Sequence, residues 1–353
     1  MPLKPPIEPM LAKPATAIPV GDDWIYEPKW DGFRALVFKD GDSVFIQSRD
    51  GKPLNRYFPE LEQPLREQLP QSCVLDGEIV IAREGILDFE ALLVRIHPAA
   101  SRVAQLARET PASFVAWDLL ADGERDVRAE PQRERRGCLE RLLAGVRAPL
   151  HLTPVTRDPE VARDWFGRFE GAGFDGVIAK PASLSYQPGK RVMTKIKHAR
   201  TADCVVGGFR WYKGFKGELV GSLLLGLYDT DNVLHHVGIA AAFTRVKRAK
   251  LVEELAPLRE AALETHPWKD WAGPADDSRK PGASSRWNRG KDLSWEPLRI
   301  ELCCEVGYDH LQGDRFRHAT QWKRWRPDKR PTDCRYDQLE VTPALELGHL
   351  FGK

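Results

Sequence analysis

Apolar and polar positions alternate over residues 35–39 and again over 42–48, with Asp40-Gly41 between the two runs. A side-chain period of two marks a strand with distinct faces, and Asp-Gly tolerates the backbone of a tight connection. The pattern therefore predicts a β-hairpin. Short apolar runs bounded by breakers predict further strands at 74–82, 113–120, 176–180 and 192–197. Helical spacing takes over at 131–146, where Pro131 opens the segment and Leu139, Leu142 and Leu143 recur every three to four positions. A second helix is predicted over 158–169, with Asp158 as N-cap, Pro159 in the first turn, and Gly171 and Gly173 beyond its end.

The pattern changes after Thr201. Strands at 205–210, 219–228, 233–239 and 298–306 are separated by Gly, Asp and Asn turns, and one helix, 244–263, carries Thr244 as its cap. Several short strands and a single helix predict a small β-barrel of the oligonucleotide-binding kind. A boundary is expected near 197–202, with 1–200 a mixed domain and 201–353 the barrel and a tail. The polar stretch 273–292, rich in Gly, Ser and Arg, is expected to be an exposed loop.

Composition narrows this picture. Across 353 residues, 42% are hydrophobic and 29% charged, which suits a water-soluble chain of about two domains. No apolar run approaches bilayer length, and prolines interrupt 1–19 where a secretory signal needs a continuous apolar stretch, so a cytoplasmic location is expected and no membrane. None of the six cysteines forms a Cys-x-x-Cys pair, and the nine histidines lack ligand spacing, which points to buried thiols rather than a structural metal. Net charge is only +2, but its distribution is uneven: 180–250 holds 13 Lys/Arg against four Asp/Glu, and 315–335 holds eight against two. Such an excess suits a phosphate-rich partner and equally an ordinary solvated basic face.

Six segments carry chemistry. In Glu27-Pro28-Lys29-Trp30-Asp31-Gly32-Phe33-Arg34, Lys29 stands among Trp24, Ile25, Trp30 and Phe33; partial desolvation there would free its amine as a nucleophile. In Val192-Met193-Thr194-Lys195-Ile196-Lys197, strand periodicity puts Lys195 and Lys197 on one face, where two cations can hold a phosphate. Asp76-Gly77-Glu78 and Asp175-Gly176-Val177-Ile178-Ala179-Lys180 place carboxylates inside strand-like sequence, and Glu78 with Asp175 could share Mg²⁺ with a substrate phosphate. Asp76-Gly77 also reads as a plain turn. In Ser113-Phe114-Val115-Ala116-Trp117-Asp118, Trp117 could stack on a purine or simply fill the core. Near the end, 315–329 interleaves basic and aromatic residues in a way that suits a polyanion.

In this order the segments resemble the motifs of the covalent nucleotidyltransferase superfamily, and specifically of ATP-dependent DNA ligases. Lys29 to Arg34 is similar to the first motif, whose lysine takes AMP. Ser48-Arg49-Asp50-Gly51 resembles the next, whose arginine meets the 5′-phosphate of a nick, and 114–120 the third. The stretches 175–180 and 193–197 resemble the fourth and fifth, and Arg326-Pro327-Asp328-Lys329 the sixth. Two positions depart from the pattern. Asp175 stands where Glu is usual and reaches one methylene less far toward a metal; Trp117 replaces the commoner Phe. The beginning at the first motif, without an N-terminal DNA-binding domain or zinc and helix-hairpin additions, resembles the compact bacterial ligase C group.

The resemblance implies an α+β architecture: an antiparallel-sheet adenylation domain of the ATP-grasp-like ligase fold, followed by a C-terminal OB-fold β-barrel. It implies ATP as AMP donor, with adenine near Trp117 and Glu27 and ribose near Arg34 and Glu78. Trp30, Arg49, Lys180, Lys195 and Lys197 would complete the nucleotide site. Glu78 and Asp175 would hold Mg²⁺, or Mn²⁺ in its place. Lys29 would be the nucleophile, Lys195 and Lys197 would meet the developing charge, and Arg326 and Lys329 would orient pyrophosphate. Nicked duplex DNA is the implied substrate, repair proteins the implied partners, a monomer the implied state, and association with a bacterial nucleoid the implied location. An RNA ligase or RNA-capping enzyme of the same superfamily, and an inert DNA-binding homologue, are the alternatives.

Overall fold

A computed structural model of the chain describes residues 1–83, 85–198, 200–269, 294–309 and 311–339. The stretch 273–292 expected as an exposed loop lies outside the described residues. Two compact units follow one another, the first built on Met1–Lys197 and the second beginning at His198.

Along the first unit run β1 (Leu11–Ala15), β2 (Trp24–Pro28), β3 (Phe33–Asp40), β4 (Ser43–Ser48), α1 (Pro59–Gln68), β5 (Ser72–Val80), α2 (Phe89–Arg95), α3 (Ala100–Glu109), β6 (Ser113–Asp122), α4 (Gln132–Leu142), β7 (Leu150–Leu152), α5 (Pro159–Arg168), β8 (Val177–Pro181) and β9 (Arg191–Ile196). They build two sheets. One has the order β1-β9-β8-β2, antiparallel except for the β1/β9 pair; the other has the order β7-β6-β5-β3-β4, antiparallel except for β7/β6. The expected hairpin is β3–β4, closed at Asp40↔Ser43 with Gly41 at φ 58°. The short β1, β2, α1, α2, α3 and β7 were not legible in the sequence pattern; β2, for instance, ends in Glu27-Pro28, which reads as a break.

The larger sheet is covered on both faces. Ala35 and Val37 of β3 pack with Leu61 and Leu65 of α1, Leu92 of α2 and Leu139 of α4. The alternate residues Leu36 and Phe38 pack with Val74, Leu120, Tyr186 and Met193 and with Leu3, Ile7 and Met10 of the N-terminal segment. The smaller sheet turns Tyr26, Val177, Ala179 and Ile196 toward Ala162, Trp165 and Phe166 of α5. Its other face, carrying Ile178 and Met193, shares the layer between the sheets. Asp158 caps α5 as expected, its side chain accepting from the Glu160 N–H at 2.8 Å.

The second unit comprises β10 (Arg200–Trp211), β11 (Val220–Tyr228), β12 (Leu234–Ala240), α6 (Arg245–Leu255), β13 (Cys303–Tyr308) and β14 (Gln321–Trp325). The strand order is β12-β11-β10-β13-β14. Thr320, just ahead of β14, bridges in parallel to Ala240 and donates its N–H to Ile239 O at 2.8 Å, which closes the row on itself. A closed five-stranded barrel with a helix between its third and fourth strands is the OB arrangement. Helix α6 stops at Leu255, short of the expected Leu263: a 3₁₀ turn over Ala256–Leu258 contains Pro257, which has no N–H to continue the ladder. The strand expected over 298–306 lies at Cys303–Tyr308. In the basic-aromatic segment, Trp322 and Trp325 pack against the barrel core, while Lys323 and Arg324 are exposed. Its aromatic residues serve packing rather than an open stacking platform.

Candidate active site

The site forms where the facing surfaces of the first unit's two sheets meet. Lys29 follows β2 directly and is locked by backbone: its N–H donates to Gly176 O at 2.8 Å, and the Asp175 N–H donates to Lys29 O at 3.0 Å. This clamp needs glycine at 176, where φ is +115° and a Cβ would stand 2.0 Å from Ile196 O. Gly32 is equally constrained, since a Cβ there would stand 2.2 Å from Ile79 O. The two glycines let the Lys29 segment lie against β9 on one side and β5 on the other.

Asp175 organises the cations. Lys29 Nζ and Lys197 Nζ both lie 2.6 Å from Asp175 Oδ2. Burial raises the carboxyl's pKa, but the two lysines outweigh it and hold it below the ordinary value. Lys29 keeps 20% of its side chain exposed, so the desolvation expected of it is partial. Lys195, paired across β8 to Ile178, has a lowered pKa: burial comes first, then the charges of Lys197 and Lys29. The three lysines expected to act together therefore do share one electrostatic neighbourhood.

Register aligns Glu27 with Ile178, so Glu27, Ile178 and Lys195 form one cross-strand row. Lys180 sits diagonally and pairs with Glu27 at 2.8 Å, both buried. Burial nevertheless pushes the Glu27 pKa up against the pull of Lys180.

On the larger sheet Arg34 is opposite Glu78, and Leu36 opposite Asp76. Arg34 donates from Nε to Asp76 Oδ1 at 2.8 Å and from Nη2 to Oδ2 at 2.5 Å. Burial opposes the guanidinium charge, but Asp76 outweighs it and raises the pKa further. Tyr186 donates its OH to Asp76 Oδ2 at 2.7 Å and accepts the Met10 N–H at 3.1 Å. Asp76 is thus a fully buried anchor in mid-strand, not the turn residue that Asp76-Gly77 also suggested. Tyr186 carried no signal in the sequence, because its partner lies 110 residues away. Trp117 is half-buried, with Arg34 5.0 Å and Lys180 5.8 Å from its ring centroid.

Three expectations are corrected or refined. Trp30, expected beside the nucleotide, is buried: its indole packs 4.6 Å from Phe174 and donates Nε1–H to Thr153 Oγ1 at 2.8 Å, so it is a core residue. Glu78, expected to share a metal with Asp175, has a pKa pushed up to about 8 by burial in spite of Lys29 and Arg34, and its Oε1 accepts the Gly32 N–H at 3.1 Å. Asp175, held charged by its lysines, offers a ready oxygen to a hard cation, whereas one Glu78 oxygen is already engaged by the Gly32 N–H. Among the described residues, no group of three or more His, Cys, Asp or Glu is placed to hold a metal. Arg49 is exposed one step beyond β4, where the pairing Ala35↔Ser48 sets it beside the position of Arg34.

Arg326 and Lys329 belong to the second unit. Arg326 Nη1 donates to Asp203 Oδ1 and Oδ2 at 2.8 and 2.9 Å, and Lys329 Nζ lies 3.5 Å from Asp203 Oδ2. No helix among the described residues is long and apolar enough to cross a membrane.

Comparison with known proteins identifies the family. The family model for the ATP dependent DNA ligase domain matches residues 9–197, and that for the ATP dependent DNA ligase C terminal region matches 216–329. DNA ligase C of Mycobacterium tuberculosis is 53% identical over 356 residues, covering 99% of this chain and 98% of that one. The multifunctional non-homologous end joining DNA repair protein LigD of the same species is 29% identical over 330 residues, 93% of this chain but 39% of that protein. A Lig E DNA ligase of known structure aligns over 90% of this chain and 99% of its own with a TM-score of 0.56 at 15% identity, a likeness of fold alone. With a two-sheet α+β unit followed by an OB barrel and both family models matched in order, the chain belongs to the ATP-dependent DNA ligases and resembles their compact bacterial ligase C group.

Proposed function

We propose that Lys29 is the nucleophile that takes AMP from ATP, and that the chain passes this AMP to the 5′-phosphate of a nick in duplex DNA and closes the strand. The observation that carries the reading is the single carboxylate oxygen of Asp175 shared at 2.6 Å by Lys29 and Lys197. It holds the amine in one place without burying it. A proton leaves the amine for the water that reaches its exposed side. Nζ then attacks the α-phosphorus, a P–N bond forms, and the bond to the bridging oxygen breaks with release of pyrophosphate. A second proton leaves the nitrogen, giving a phosphoramidate whose nitrogen is neutral and whose phosphoryl group keeps one negative charge. Lys195 and Lys197 face the charge that grows on the phosphoryl oxygens.

Arg34 and Glu78 are read as ribose contacts. Glu78, neutral with one oxygen on Gly32 N–H, keeps its other oxygen as an O–H donor. Trp117 and the Glu27–Lys180 pair border the adenine. Asp175, kept ionised by its lysines, is the residue that would hold Mg²⁺ or Mn²⁺; such an ion supplies positive charge beside the α-phosphate. Arg49 is assigned to the 5′-phosphate of the nick, and Arg326 and Lys329 to the leaving pyrophosphate. Residues 1–200 are taken as the adenylation domain and 201–353 as the OB-fold domain, in a cytoplasmic, monomeric repair enzyme.

The test is covalent labelling with α-³²P-ATP and a divalent cation. Wild type should give an acid-labile adduct that Lys29→Ala lacks, and adducted wild type should seal a nicked duplex without further ATP. A wild-type chain that never labels refutes the assignment. Nicks with RNA in either strand determine the preferred substrate.

A further inference from the structure

Asp203 sits on β10 directly opposite Glu305 on β13. Two carboxylates facing each other across antiparallel strands repel, and the placement persists only where cations compensate it. Here three do. Arg326 Nη1 contacts both Asp203 oxygens at 2.8 and 2.9 Å and lies 3.9 Å from Glu305. Lys329 lies 3.5 Å from Asp203, and Arg324 donates Nε–H to Glu305 at 2.8 Å. The opposite edge of the Arg326 guanidinium, Nε and Nη2, is taken by Asp328 at 2.9 and 2.7 Å.

The acid is itself held firmly. The Asp203 N–H donates to Gln338 Oε1 at 2.7 Å, and Gln338 Nε2 donates back to Asp203 O at 3.0 Å. Arg326 N–H donates to Cys303 O at 2.9 Å, so the backbone of the arginine is tied to β13 as well. An arginine cannot shed its proton, and its contribution to a phosphoryl site depends on where its planar fork is held. A fork ordered before substrate arrives loses less entropy on binding.

We propose that Asp203 is a positioning residue for lysine adenylation: a carboxylate that gathers both Arg326 and Lys329 and orients them for the leaving pyrophosphate. The inference rests on the reading of Arg326 given above. Single-turnover labelling of Lys29 by α-³²P-ATP is the readout. Asp203→Asn, nearly the same shape without the charge, should slow labelling roughly tenfold, because the charge-assisted hydrogen bonds that orient the fork are lost. Asp203→Glu, which restores the charge one methylene further out, should recover part of the rate. Sealing of a nick that already carries AMP on its 5′-phosphate bypasses lysine labelling and should stay within about twofold of wild type in the Asn variant. The double variant with Arg326→Ala should lose less than the product of the two single losses, since Asp203 acts largely through that side chain and otherwise through Lys329.

Labelling by Asp203→Asn at the wild-type rate overturns the proposal. So does an equal loss in the pre-adenylated sealing assay, which marks a general defect of the fold, and so does multiplicative loss in the double variant. Wild-type labelling by Arg326→Ala would instead remove the reading of Arg326 on which the inference stands.

Discussion

Asp175 in the first unit and Asp203 in the second are built alike and serve opposite ends. Each is one carboxylate, 13% exposed, that gathers two cations from segments expected to handle phosphate. Asp175 holds two lysines; Asp203 holds an arginine and a lysine. The difference lies in what the cation must do next. On the proposed mechanism Lys29 gives up a proton and forms a bond, so its partner has to be one it can leave: a single carboxylate oxygen that Lys197 shares. Arg326 stays charged throughout, and two carboxylates fix its plane. A third arrangement, Glu27–Lys180, is buried on both sides and is exchangeable in neither sense.

The largest expected effect comes from breaking the buried pair. Lys180→Met leaves Glu27 without its partner and should cost on the order of 3 kcal/mol of stability, read from denaturant midpoints. A loss too small to measure would place this pair with the exchangeable ones. Next comes Asp175→Asn, expected to slow lysine labelling by ~100-fold, since it removes the oxygen that positions both lysines and the carboxylate assigned to the cation. If Asp203→Asn proved the more damaging of the two, the contrast between them would be reversed.

Glu78→Gln sharpens the comparison through pH. With a native pKa near 8, Glu78 keeps its proton where the unfolded chain has lost it, so the native state binds more protons between about pH 4.5 and 8 and this residue's contribution to stability falls as pH rises. The Gln variant should lack that slope in thermal unfolding. The KM for ATP should climb above pH 8 in wild type and stay flat in the variant; a wild-type KM unchanged across that range removes the O–H donor from the site. The smallest effect is on DNA binding: affinity should fall as salt rises, with a slope reduced by about one unit in Arg49→Ala. An unaltered slope would take Arg49 off the DNA backbone.

The lysine row was legible because a period of two places Lys195 and Lys197 on one face whatever the fold around them. The β3–β4 hairpin was legible for a similar local reason. Trp30 shows the limit: beside the nucleophile in sequence, its indole points into the core toward Phe174. Asp76 shows the converse, a residue that looked like part of a turn and proved to anchor Arg34. Its partner Tyr186 lies beyond β6, β7, β8 and α2 to α5 in the chain, and only folding brings the hydroxyl and carboxylate together.

By itself the sequence determined the order of the chemistry along the chain, the α+β then barrel succession and the residue types available to hold phosphate, because these depend on local spacing and side-chain identity. Only the tertiary structure decided which carboxylate stays ionised and which does not. Asp175 and Glu78 are both acids in apolar strand sequence, and the first is held charged by two lysines while the second is left neutral by burial. That outcome is a balance of desolvation against neighbouring charge, and the neighbours come from strands far apart in the chain.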